Sequence, residues 1–190
     1  MARVTCLRCR ALVLTVLFVA TGMLAEDVVR SVRGDDGESG SELGPGDIDP
    51  EESRIYVRVG KRRLGHEHGV EGQVKEGQLK LNGRKDAGEI VFDMTSFAAD
   101  TDEARKYVGL EGTTDSDEQK DVTKTMLGKS VLNSDEHPTA TFAIERAPLL
   151  VEKTDEGDSQ YLLEGEFTLR GETQPVKVVA AAVEEKDGRV

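Results

Sequence analysis

The stretch "YLLEGEFTLRGETQPVKVV", residues 161–179, decides the fold. Leu163, Phe167 and Leu169 fall on one face of its first half, and Glu164 and Glu166 on the other. This is the period-2 pattern of a strand with one dry and one wet side. The turn signal "RGET" around Gly171 interrupts the run. A second run, "QPVKVVAAAVE", is apolar on both faces, and its Pro175 fits best at the strand's start. Strands joined so briefly are antiparallel, because parallel neighbours need a crossover of about a dozen residues or more.

The same alternation recurs upstream. In "SRIYVRVG" the residues Ile55, Val57 and Val59 share a face opposite Tyr56 and Arg58; "EIVFDM" repeats it with Ile90, Phe92 and Met94, and "TATFAIE" with Ala140, Phe142 and Ile144. Turn signals at "KEGQ" around Gly77, at Asn82 and Gly83, and at "DEGDS" around Gly157 separate these runs and predict an antiparallel meander. From Asp115 to Lys129 the pattern is helical: acids lead, lysines follow, Val122, Met126 and Leu127 are spaced for one face, and Gly128 supplies a stop. A second turn of helix is predicted from Asp102 to Val108. One-sided strands with a single covering helix hide their apolar face by closing into a barrel or packing as a sandwich. A barrel of about eight strands has interior enough for one small ligand.

The amino terminus is of another kind. "MARVTCLRCR" is basic and "ALVLTVLFVA" apolar without interruption, followed by small residues. This is the composition of a secretory signal peptide, expected over residues 1–25, with cleavage after Gly22 or Ala25. The apolar run is shorter than the roughly 20 residues that span a bilayer, so no stable membrane span is expected once the signal is removed. Cys6 and Cys9 lie inside it, leaving the exported chain without cysteine. Residues 26–47, rich in Gly, Ser and acid, read as a flexible linker, and residues 48–190 as the folded domain. The chain carries a net charge of −12 although Arg3, Arg8 and Arg10 precede any acid, so the exported part is more acidic still. That excludes a nucleic-acid backbone as a partner, since like charges repel.

Catalytic signatures are missing. "GKS" at Gly128–Ser130 resembles a phosphate loop, but Thr123 stands where that loop needs glycine. The acidic clusters do not follow the calcium-loop spacing, there is no G-x-S-x-G elbow, and no serine is flanked for activation. A non-enzymatic protein is expected. The exception to weigh is "GHEHGVEG", residues 65–72. On a strand His66 and His68 point the same way and, with His137 or a carboxylate, make a divalent-metal site conceivable. The competing reading places them at a barrel rim, hydrogen-bonded and partly packed. His137 precedes Pro138, which biases it towards an extended strand start.

Taken in order, "GDIDPEESRIYVRV", "GHEHGVEGQV", "GEIVFDMTSFAADT", "MLGKSVLNSDEHPTATF" and "LEGEFTLRGETQPVKV" resemble successive segments of the YceI-like family, the last two most specifically. The resemblance implies an exported, all-β, antiparallel lipocalin-like barrel with one or two short helices, whose apolar cavity binds polyisoprenoid chains, quinones among them. It implies a binding or transport protein for a long-chain isoprenoid or other apolar lipid, secreted or periplasmic. The lining residues expected on this basis are Ile55, Val57, Val59, Ile90, Phe92, Met94, Met126, Leu127, Phe142, Ile144, Leu163 and Phe167; ordinary packed core is the alternative for each. Members of that family continue past the region of Val176 with a further strand or two, so the barrel is expected to be incompletely closed at its C-terminal end. An unpaired edge there invites a homo-oligomer or a partner chain by strand addition.

Overall fold

The computed structural model describes residues 13–16, 44, 46–60, 66–154 and 158–182. Apart from Val13–Val16 the expected signal segment lies outside the described residues, as do most of the expected linker and the last eight residues. The described elements run β1 (Val13–Val16), β2 (Arg54–Val59), β3 (His68–Leu79), β4 (Gly88–Ala99), α1 (Asp102–Tyr107), α2 (Ser116–Leu127), β5 (Thr139–Arg146), β6 (Leu149–Val151), β7 (Ser159–Leu169) and β8 (Glu172–Ala182).

The 161–179 stretch is the hairpin it was read to be. Leu169 pairs with Glu172, and Arg170 and Gly171 both have positive φ, 54° and 79°. Two left-handed residues in a two-residue loop make the turn whose twist matches that of paired strands. The other expected turns divide. Asn82, at φ 62°, and Gly83, whose amide bonds the Lys80 carbonyl, do turn the chain between β3 and β4. Gly77 does not: β3 runs straight through it, paired with Ile90. A Cβ at Gly77 would come within 2.9 Å of Ile48 Cδ1, so this glycine serves close packing and not reversal.

Neighbouring strands follow the order β5-β4-β3-β2-β1-β8-β7, and β5 also pairs β7, which brings the sheet round on itself. β6 lies past the break at Ala147–Pro148 and pairs only the start of β7. All pairings are antiparallel except that of β1 with β2. This is an antiparallel, lipocalin-like barrel with two short helices. β2 and β8 do not pair each other; the gap left at the C-terminal strand is bridged by the four residues of β1, in which Val13, Thr15 and Val16 are β-branched and suit a strand. At the start of the expected domain, Asp47 bridges Gln78, and Ile48, 1% exposed, belongs to the core.

Inside, the alternating residues meet as the patterns require. Ile90, Phe92, Phe142 and Leu163 are fully buried, and each such side chain contributes about 1.5–3 kcal/mol on leaving water. Both helices have capped starts. Thr101 Oγ1 accepts from the Ala104 amide and Asp115 from the Asp117 amide. α1 lies outside the barrel, covering Tyr56, whose ring stacks on Tyr107 at 4.1 Å and whose hydroxyl donates to Glu103. α2 is fastened to the end of β4 by the Ala99 amide donating to Thr123 Oγ1.

Because β1 alone bridges β2 and β8, a chain beginning at residue 26 leaves those two strand edges unpaired. Hydrogen exchange is expected to quicken at amides of β2 and β8 in that shorter chain, with β3, β4 and β7 unaffected. Equal protection in both chains would mean that β2 and β8, which run antiparallel, close on each other directly.

Candidate functional site

The lower and upper halves of the barrel interior differ. In the lower half Phe92 and Phe142 are wholly buried, and Phe167 lies over them with ring centroids 6.1 and 6.4 Å away. Above this aromatic floor is a cavity of about 570 Å³, within the range of small-ligand sites. Its walls come from β2 (Ile55, Val57, Val59), the start of β3 (His68, Val70), the end of β4 (Met94, Phe97, Ala99) and β7 (Phe167, Leu169). Val122 and Met126 of α2, with Val131 and Leu132 after it, form the roof. Val59 and Val131, 43% and 44% exposed, mark the mouth.

The cavity exists because β4 changes phase. Ile90, Phe92 and Met94 point inward at period 2, but the next buried residue is Phe97, three positions on. Residues 94–97 bulge opposite Gly72, between the pairs Gln73–Asp93 and Glu71–Ala98. Side chains hold the bulge. Asp93 Oδ1 accepts from the amide and hydroxyl of Thr95, and Ser96 donates to the Asp93 carbonyl while accepting from the Gln73 amide. The Phe97 ring then lies flat on Gly72, where a Cβ would fall 2.3 Å from the ring.

At the mouth the apolar wall meets a polar knot. His68 Nδ1 donates to Asp100 Oδ2 at 2.5 Å, and the Gly69 amide and Arg105 donate to Asp100 Oδ1. The Asp100 side chain is 3% exposed and that of His68 31%. Burial pushes the Asp100 carboxyl up, but the hydrogen bonds of His68 and the Gly69 amide, with the positive charges beside it, outweigh burial and hold it below its ordinary value. Gly69 is tied to this arrangement, since a Cβ there would meet the Ala104 and Arg105 backbone at 2.9 Å.

Six of the expected lining residues line the cavity: Ile55, Val57, Val59, Met94, Met126 and Phe167. Ile90, Phe92, Phe142, Ile144 and Leu163 are packed below or beside it, and Leu127 packs against the core from the end of α2. Val70, Phe97, Ala99, Val122, Val131, Leu132 and Leu169 line it without having been expected. The spacing of Met94 to Phe97, with Gly72 opposite, is the sequence signal that carried this, and it reads only as a break in alternation. Of the histidines, His66 precedes β3 and is exposed, His68 opens β3 at the rim, and His137 bonds through its amide to the Asn133 carbonyl. Among the described residues no group of three His, Cys, Asp or Glu could hold a metal ion, and no helix is long and apolar enough to cross a membrane.

A wider hollow of about 840 Å³ lies between β5, β7 and β8. It is edged by Arg146, Glu164 and Lys177, which are ion-paired.

Gly72→Ala is expected to push the Phe97 ring into the cavity and weaken any apolar ligand several-fold, measured by displacement of a fluorescent apolar probe, with little change in the melting temperature. Asp100→Asn is expected to cost about 1–3 kcal/mol at neutral pH. A carboxyl whose pKa is lowered by folding stabilises fully above its unfolded value, ordinarily about 3.9, and ceases to do so as pH falls through the folded one. Melting curves into acid should therefore decline less steeply for Asp100→Asn than for the unaltered protein.

The family model of the YceI-like domain matches residues 47–188. No curated protein and no solved structure gives a significant match.

Proposed function

The chain belongs to the YceI-like domain family, and on that premise we propose that it binds and carries a long apolar lipid of the polyisoprenoid class. The observation that carries this reading is the roofed apolar cavity of about 570 Å³ between the aromatic floor and α2, opening through Val59 and Val131. A hydrocarbon chain gains about 25 cal/mol for each Å² of apolar surface removed from water, so such a chamber binds without many polar contacts. Its walls are mostly branched and thioether side chains, and the chain has no tryptophan. Methyl-branched aliphatic chains fit such walls better than flat rings that need stacking partners.

The polar side chains in the lining are His68, Asp121 and Thr125. Thr125 already donates to the Asp121 carbonyl within α2. The reading is accordingly one of uptake and release without chemistry on the ligand. Export belongs to the same proposal and rests on the basic and apolar pattern of residues 1–25.

Organic extraction of protein purified without added lipid, followed by mass spectrometry, tests the reading. An isoprenoid-type molecule is expected from the unaltered protein. Val57→Glu, which puts a carboxylate in the cavity wall, should reduce its recovery at least about tenfold through the cost of desolvating that charge. An extract without lipid, together with no displacement of an apolar probe by isoprenoids, would overturn the proposal.

A further inference from the structure

His68 occupies a particular place in the cavity. It faces Val59 across the β2–β3 pairing, so it stands at the mouth and not on the floor. Its companions at the rim are of other kinds: Asp121 and Thr125 are exposed on α2, whereas His68 is two-thirds buried and held from behind. Nδ1 is committed to Asp100, a carboxylate that can only accept, so Nδ1 carries the proton. Asp100 is itself fixed by the Gly69 amide and by Arg105, whose guanidinium also bonds the carbonyls of Glu111 and Gly112. The imidazole is therefore oriented by a buried, fully bonded frame. Its second nitrogen, Nε2, has no partner among the described residues.

A ring held in this way, with one nitrogen unpaired in a lining that is apolar apart from Asp121 and Thr125 on α2, is arranged to meet a polar atom of something in the cavity. We propose that His68 Nε2 is the head-group anchor of the lipid site, hydrogen-bonding the oxygen function at the end of the isoprenoid. This rests on the isoprenoid-binding reading above. Neutral imidazole accepts at Nε2 from a hydroxyl, and imidazolium donates there to a quinone carbonyl or a phosphate oxygen. All three heads share the same chemistry, an oxygen within hydrogen-bond reach of Nε2 at the mouth while the chain runs inward towards Phe97 and Phe167. Asp100 acts as a positioning residue.

The test compares ligands of equal chain length by displacement of an apolar fluorescent probe from the full chain: farnesene without a head, farnesol, farnesyl diphosphate and a three-isoprene quinone. At least one headed ligand is expected to bind about three- to tenfold more tightly than farnesene, the worth of one hydrogen bond, and which one does so identifies the head. His68→Asn keeps an amide donor near the Nδ1 position for Asp100 but has nothing where Nε2 was. It should erase that preference, so that the headed ligands bind the variant no more tightly than farnesene does. His68→Gln, whose amide reaches the Nε2 position, should restore part of the preference. A preference that survives His68→Asn, or its absence from the unaltered protein, overturns the anchor while leaving lipid binding standing. Failure of all four ligands, farnesene included, would instead overturn the isoprenoid reading itself.

Discussion

The change of phase in β4 is the constraint on which the site depends. Had alternation continued from Met94, Ser96 would point inward and Phe97 outward, and the β4 wall would end in polar residues. Instead Asp93, Thr95 and Ser96 satisfy one another and the Gln73 amide. Phe97 and Ala99 turn inward to build the wall. The same shift delivers Asp100 to the end of β4, at φ 57°, where it binds His68 and the Gly69 amide. Cavity wall and polar mouth thus follow from one local irregularity.

What the sequence shows well is whatever is decided locally. The 161–179 hairpin, the inward face of β2 and the capped α2 are set by alternation, turn chemistry and capping within a few residues, and all are found where they were read. The arrangement of the interior is decided otherwise. Ile90 and Met94 look alike in sequence, both apolar and in phase, yet one is sealed in the core and the other lines the cavity. Which role each takes depends on what the opposite strand supplies: Phe142 and Leu163 fill the lower half, while above Phe167 the side chains stand around the cavity. Gly77 looks like a turn and serves as a gap for Ile48, because a glycine that reverses the chain and one that admits a neighbour are spelled identically.

The apolar residues near the amino terminus have a composition that suits two roles. A run of Val, Leu and Thr has the hydrophobicity of an export signal and the β-branching of a strand. In the structure Val13–Val16 pairs with β2, which carries Ile55 and Val57, and with β8. Its pairing with β2 is the one parallel pairing among the described strands. The other six alternate in direction around the ring without it, which makes β1 an addition to an already consistent antiparallel sheet.

The central claim is that the upper half of the barrel is a binding chamber and the lower half solid. Methyl-resolved NMR during addition of farnesol tests this most directly, since both halves carry methyl groups. The account predicts saturable shifts at Val57, Met94, Val122 and Met126, with Ile90 and Leu163 nearly still. Shifts confined to the exposed Leu149–Val151 edge, or spread evenly over the core, would contradict it.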